Sequence, residues 1–168
     1  MVSIMGEPGS GPVRAPYSPV DQGTGMHALS AILAALLHKR NTGEGCRIGV
    51  SLVDTGIAFL GYMMQSYWEK GAEPKRFGCA HESLCPYQNF MAADKPILIG
   101  VASEPLWQRF CAAVGHPEMA SDPRFRTNAD RVRNRNVVIA TVQAIIGQRS
   151  SEEWVEKLTG EGIPCTQI

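Results

Sequence analysis

Asp54 is the side chain whose type and setting point most directly to chemistry. It lies in RIGVSLVDTG, just after a strand-like run and inside the first turn of a helix. Backbone N–H groups at such a turn favour an anion and can hold a carboxylate ionised and oriented. Open α/β sheets also tend to place their reactive groups at strand-to-helix junctions. The same spacing has a structural reading, because Ser51-Leu52-Val53-Asp54 fits a capping box in which the acid simply satisfies the helix start. Glu104, in VASEPLWQRF, also falls in a first helical turn, with Ser103 as cap and Pro105 comfortable early in the helix. Helix-start charge is its default role. His81 and Glu82 share the long irregular segment GCAHESLCPYQNF with Tyr87. Long loops in an otherwise economical chain often carry function, so these three are candidates for a substrate-side loop. His27 and His38 fall on the first helix and His116 beside Pro117 in a loop, where packed or surface roles are expected.

Other chemistries lack their signatures. The five cysteines, Cys46, Cys79, Cys85, Cys111 and Cys165, contain no CxxC pair, which disfavours zinc knuckles and thioredoxin-like exchange. Free, mostly buried thiols in a reducing compartment are expected, and no metal site. There is no GxSxG elbow, P-loop, GxGxxG after a strand, or HExxH. GEPGSGP lacks the GK[ST] ending and the flanking strand and helix of a phosphate loop, so it reads as a flexible loop. Arg131, Arg133 and Arg135 alternate around a helix rather than forming one basic face, and solvated positions or tertiary ion pairs are their default roles. Arg124 and Arg126 add only a weak local positive charge.

The elements that must position these residues follow from periodicity. Val2 to Pro19 is rich in proline and glycine and reads as a loop or extended arm. From Gly25 to Arg40, Met26, Leu29, Ile32, Leu33, Leu36 and Leu37 recur at helical spacing, with alanines between them that would let another helix approach closely. Asn41 to Gly45 ends that helix. Arg47 to Ser51 reads as a short strand, and a second helix runs from Leu52 to a stop at Gly71. Gly71 to Asn89 is irregular, Ile97 to Ala102 reads as a strand, and Glu104 to Val114 as a helix. Thr127 to Asp130 has capping-box spacing and opens a helix to about Ile146. Ser150 to Glu153 repeats the signal for a shorter helix to about Leu158, and GIPCTQI begins another strand or loop. The order predicts an α/β or α+β protein with a boundary in the loop between Gly71 and Asn89.

Composition bounds the rest. The 168 residues are 44% hydrophobic and 19% charged, which suits a folded soluble chain, and sixteen basic residues balance sixteen acidic ones. A net charge near zero gives no general field for nucleic acid or an anionic membrane. The opening MVSIMGEPGSGP has neither the basic nor the apolar region of a signal peptide, and MHALSAILAALL is too short to cross a bilayer. A cytoplasmic protein is expected, or one of an organelle matrix.

Seven stretches then bring a family into view: MGEPGSGPVR, PVDQGTGMHALSAILAALLHKRNTGEG, VSLVDTGIAFLGY, GCAHESLCPYQNFMAAD, ASEPLWQRFC, DPRFRTNADRVRNR and GIPC. In this order they closely resemble the class III coenzyme A transferases, which include formyl-CoA transferase and the carnitine and dicarboxylate CoA transferases. The resemblance implies an α/β fold in which residues 1–71 are part of a large CoA-binding domain with a Rossmann-like region. Residues 72–96 would be a linker and substrate-side loop, and residues 97–168 most of a small α/β domain. Members are well over twice this length and interlock as homodimers. The segment alone would then be incomplete, and either inactive by itself or only structural.

In the family, the aspartate of the SLxD motif is the nucleophile, and Asp54 matches it. The implied substrates are an acyl-CoA and a free carboxylic acid, dicarboxylic acids among them; coenzyme A enters with the substrate and no cofactor is held permanently. The α-methylacyl-CoA racemases of the same superfamily resemble the chain at Asp54 and at Glu104, which falls where their second acid–base carboxylate lies. Their site also uses a histidine before the aspartate that precedes the first helix. Here Val20 stands before Asp21, which favours the transferase branch, as does the GCAHESLCPYQ segment. Asp94-Lys95 replaces a common Asp-Gly turn and is expected to reshape a hairpin.

Overall fold

The computed structural model describes residues 1–168, which divide into two compact units, Met1–Gly78 and Cys79–Ile168.

The first unit is a helix pair. After a short 3-10 turn at Val2–Ile4, α1 runs over Pro19–Thr42 and α2 over Leu52–Lys70. α1 begins ahead of its apolar pattern because Pro19 occupies the first helical turn, where its fixed φ and missing N–H cost nothing. Gly43 (φ 79°) and Gly71 (φ 63°) close the two helices in the left-handed conformation, donating their N–H groups to Lys39 and Tyr67. Gly61 interrupts α2 with φ 44° and ψ −122°, a break that a residue with a Cβ would resist. Gly23 and Thr55 are the buried residues of this unit. A Cβ on Gly23 would run into the Phe59 ring and stand 3.1 Å from Cγ2 of Thr55, so glycine is what lets α1 approach α2 here. The strand expected over Arg47–Ser51 does not form. That segment is extended and almost wholly exposed, and no neighbouring strand pairs with it. β-propensity without a ladder partner leaves the backbone to water.

The second unit is a three-stranded antiparallel sheet with helices packed on it. The strands are β1 (Tyr87–Met91), β2 (Pro96–Gly100) and β3 (Cys165–Gln167), in the order β1-β2-β3. Tyr87 pairs with Gly100 and Met91 with Pro96, while Ile97 pairs with Gln167. The helices are α3 (Glu104–Ala113), α4 (Asn128–Arg133), α5 (Arg135–Ile146) and α6 (Ser151–Gly160). Phe90, Ile97, Ile99 and Val101 enter one core with Trp107 and Phe110 of α3, Val138, Val142 and Ile146 of α5, and Trp154 and Leu158 of α6.

β1 arises in a segment whose sequence reads as irregular as far as Asn89. Its polar Gln88 and Asn89 obscure the pattern, and pairing with β2 creates the strand. The single helix expected over 127–146 is two. Asn134 leaves helical geometry (φ −100°, ψ 24°) and its side-chain amide donates to the carbonyls of Asp130 (3.0 Å) and Arg124 (3.1 Å). The hairpin around Asp94-Lys95 closes through Ala92 N–H to Lys95 C=O at 3.1 Å. Asp94 accepts from Ser151 N (2.6 Å) and Oγ (3.0 Å), which joins the hairpin to the start of α6. Those bonds hold the Asp94 carboxyl below its ordinary range. Only Cys85 and Cys111 of the five thiols are buried, correcting the expectation of mostly buried thiols: Cys46 and Cys79 lie on exposed segments and Cys165 is half-buried. Burial pushes the Cys111 thiol up to about 12 and that of Cys165 to about 11.

Candidate active site

Four helices of the chain begin with a serine or threonine cap and an acid three residues on, and they do not use the acid alike; at α1 the Ser18 side chain makes no cap bond. At α4, Thr127 Oγ1 takes the Asp130 N–H, and Asp130 Oδ2 takes the Thr127 N–H (3.2 Å) and hydroxyl (2.6 Å). At α6, Ser150 Oγ takes the Glu153 N–H, and Glu153 Oε2 takes the Ser150 N–H and hydroxyl, each at 2.9 Å. Both boxes are closed, and the bonds received from Thr127 and Ser150 pull the Asp130 and Glu153 carboxyls below their usual values.

At α2 only half of the box forms. Ser51, in extended backbone, accepts from the N–H groups of Val53 (3.1 Å) and Asp54 (3.3 Å). The Asp54 carboxylate does not return to Ser51; it is exposed and takes part in no hydrogen bond or ion pair. The capping-box reading of Asp54 is therefore corrected. The serine alone satisfies the helix start, and the carboxylate stands at the positive end of α2 with its lone pairs uncommitted. Without a donor on either oxygen, such a group retains its nucleophilicity.

The next residue anchors this turn. Thr55 Oγ1 lies 3.1 Å from the Ser51 carbonyl oxygen, 3.0 Å from Thr24 Oγ1 and 3.1 Å from His27 Nδ1. Thr24 Oγ1 is also 2.7 Å from the Val20 carbonyl oxygen.

The other candidates all belong to the second unit. His81 donates its N–H to the Tyr87 carbonyl at 3.0 Å, and the two rings lie 5.6 Å apart between centroids. Ser83 N–H donates to His81 Nδ1 at 3.1 Å, so in the neutral ring the proton sits on Nε2. Beneath these side chains, five consecutive carbonyls, His81 to Cys85, are captured by three residues. Arg135 Nη2 takes those of His81 (2.9 Å), Glu82 (2.7 Å) and Leu84 (3.2 Å). Asn128 Nδ2 takes that of Ser83 (2.8 Å), and Arg131 Nε that of Cys85 (2.7 Å).

Glu104 belongs to the same network. Its Oε1 accepts from Asn128 N–H at 2.7 Å and its Oε2 from Arg131 Nη1 at 2.9 Å. Arg131 is wholly buried, with its guanidinium 4.8 Å from the centroid of the Trp107 ring, whereas Glu104 is 47% exposed. Glu104 is thus more than a helix-start charge: it is the counter-ion of a buried cation and caps α4 from outside.

Sequence reasoning left Arg131, Arg135 and Asn128 without a specific task. The available signal was the pair of cations four residues apart, Arg131 and Arg135, beside a capping box, which marks tertiary targets when a loop without its own ladder needs donors. No group of three or more His, Cys, Asp or Glu side chains is placed to hold a metal ion. No helix is long and apolar enough to cross a membrane.

A helix pair presenting a free carboxylate, followed by a sheet-and-helix unit that holds a long loop by its carbonyls, defines an α/β protein with an acid-bearing helix start as its candidate centre. The model of CoA-transferase family III matches residues 1–168, and the chain belongs to that family. It is 30% identical over 168 residues to the succinyl-CoA:glutarate CoA-transferase of Homo sapiens, covering 100% of this chain and 38% of that protein. It is 31% identical over 140 residues to the acetyl-CoA:oxalate CoA-transferase of Acetobacter aceti, covering 83% of this chain and 36% of that protein. The crystal structure of a CAIB/BAIF family protein from Brucella suis superposes with a TM-score of 0.73 at 30% identity, over 99% of this chain and 45% of the other. The chain therefore spans less than half the length of the relatives it matches.

Proposed function

We propose that this segment supplies the nucleophile of a coenzyme A transferase that moves CoA from an acyl-CoA to a free carboxylic acid, with Asp54 as that nucleophile. The reading is carried by the uncommitted Asp54 carboxylate, in contrast to the two acids that close their boxes at Asp130 and Glu153. Attack of an Asp54 oxygen on the thioester carbonyl breaks the C–S bond and gives a mixed anhydride and CoA thiolate. The thiolate attacks the aspartyl carbonyl, releasing the first acid as its carboxylate and leaving an aspartyl-CoA thioester. The incoming carboxylate attacks that thioester, forming a second anhydride and expelling the thiolate. The thiolate then takes the new acyl group, and the Asp54 carboxylate is regenerated. Each step exchanges one activated acyl group for another of similar reactivity, so the sequence runs either way. The positive end of the α2 dipole is suited to steadying the developing oxyanions.

The activities for which two relatives are named, with glutarate and oxalate as acids, support a dicarboxylic acceptor or donor. In this reading residues 1–71 are part of the CoA-binding domain, residues 72–96 the linker with the His81, Glu82 and Tyr87 loop, and residues 97–168 the small domain. The full-length protein is a homodimer. The racemase alternative needs Glu104 as a proton carrier. Both Glu104 oxygens already accept hydrogen bonds, one of them from a buried cation, which disfavours that role.

The test is to mix the full-length enzyme carrying this segment with a panel of acyl-CoAs, quench with hydroxylamine and map the hydroxamate by peptide mass analysis. An adduct at Asp54, lost in Asp54→Ala together with about 10³-fold or more of the acyl exchange, is expected. Solvent deuterium entering the α-position without any Asp54 adduct would transfer the chain to the racemase branch.

A further inference from the structure

We propose that the Thr24–Thr55–His27 cluster is a positioning device for Asp54, in which α1 sets the place of the first turn of α2. The inference rests on the transferase reading above. Ser51, the cap of α2, is gripped at both ends. Its Oγ accepts the N–H groups of Val53 and Asp54, and its carbonyl oxygen lies 3.1 Å from the Thr55 hydroxyl. Thr55 is 2% exposed, although threonine is ordinarily a surface residue. It is reached from α1 by Thr24 Oγ1 at 3.0 Å and His27 Nδ1 at 3.1 Å.

Proton counting makes the cluster directional. Thr55 has one hydroxyl proton, and the Ser51 carbonyl can only accept. Once that proton is given to Ser51, the contact from His27 must arrive as a donor, which places a proton on Nδ1 of His27. The hydroxyl of Thr24 divides its donation between Thr55 and the Val20 carbonyl, 2.7 Å away. Gly23, beside Thr24, omits a Cβ that would run into the Phe59 ring and the Thr55 methyl, which seat on that gap.

The Asp54 carboxylate has no bond of its own to orient it, so its reach depends on the backbone beneath it. Reactions between two bound groups lose rate steeply when one is displaced by an ångström. A turn bolted to α1 through a buried hydroxyl meets that demand and leaves both carboxylate oxygens free. His27, Thr55 and Thr24 act through Asp54 and are positioning residues.

The experiment compares Thr55→Val, which removes the hydroxyl and keeps the shape, with Thr55→Ser, which keeps the hydroxyl, in the full-length enzyme. Thr55→Val is expected to lower kcat about tenfold or more with KM for acyl-CoA held within about twofold, and Thr55→Ser to recover most of kcat. Nitrogen NMR of the same enzyme is expected to find neutral His27 protonated at Nδ1. A Thr55→Val enzyme with wild-type kcat, or the two variants falling together, overturns the device, the second because the methyl contact would then be what matters. Neutral His27 protonated at Nε2 overturns it as well. Hydroxylamine trapping separates the two levels. A wild-type adduct at Asp54 with an unimpaired Thr55→Val enzyme sinks this inference alone, whereas no wild-type adduct sinks the transferase reading and this inference with it.

Discussion

In the C-terminal unit, an apolar residue on the inner face of a helix or strand is inside: Phe90, Ile97, Trp107, Phe110, Val142 and Trp154 are each 2% exposed or less. In the N-terminal unit, helical spacing just as regular leaves Met26 69% exposed and Leu29 and Leu33 each 58%. The two units also differ in how they treat polar groups. The C-terminal unit spends nearly every charged side chain near its loop on a carbonyl or a counter-ion. The N-terminal unit gathers Thr24, His27 and Thr55 in one cluster beside the start of α2 and leaves Asp54 uncommitted. Periodicity thus reports which face of a helix requires cover, and it does not say whether the same segment provides the cover. The apolar spacing of α1 is left open to solvent within its own unit.

Breaking the ion pair of the well-packed unit is expected to have the largest effect on stability. Glu104→Ala leaves the buried Arg131 without its counter-ion and α4 without its outside cap. It should destabilise the Cys79–Ile168 unit by roughly 2–4 kcal/mol, with the half-exposed position of Glu104 keeping it below the range for fully buried pairs. Residue-resolved hydrogen exchange would check this. The protection of α4 and of the His81–Cys85 loop should fall while α1 and α2 exchange as before. Loss spread equally over both units would mean that they do not behave as separate compact bodies.

Gly23→Ala is the matching perturbation of the first unit. The added methyl meets the Phe59 ring and the Thr55 methyl. It should cost about 1–3 kcal/mol, the usual penalty for overpacking, and confine the loss of protection to α1 and α2. An unaltered exchange pattern would show that the helices part without penalty.

The smallest effect expected is with acid. Asp94, Asp130 and Glu153 are all held below their ordinary values in the folded chain by hydrogen bonds received from Ser151, Thr127 and Ser150. A carboxyl depressed by folding stabilises the native state at neutral pH. That contribution is lost as pH falls through the folded value, so the C-terminal unit should weaken progressively below about pH 4. Replacing Thr127 and Ser150 by Ala should flatten the acid limb of a denaturation series. A limb equally steep without the hydroxyls would remove the caps as its cause.

Local sequence determined much of the outline. Prolines, left-handed glycines and Ser/Thr caps located the ends of α2, α3 and α6 to within a residue or two, because their preferences act within a turn of the chain. Strands were less legible: β1 exists only because β2 lies beside it, and Arg47–Ser51 has no partner and forms none. The same divide runs through the site. SLVD marked Asp54 as a helix-start acid, but its spacing is shared with TNAD and SSEE, where the acid is consumed by the cap. Whether a carboxylate turns back to its cap or stays free is a choice of side-chain rotamer, which local spacing leaves open. Likewise, DRVRNR placed three arginines in a row of alternating positions without naming their targets. Arg133 turns to the nearby Asp130, whereas Arg131 and Arg135 reach carbonyls 46 and 54 positions earlier, met only when α4 and α5 pack beside the His81–Cys85 loop. Helix ends are legible because their causes lie a few residues away; the free acid, the captured loop and the cover of α1 depend on groups distant in sequence, and only tertiary packing brings such groups together or leaves them apart.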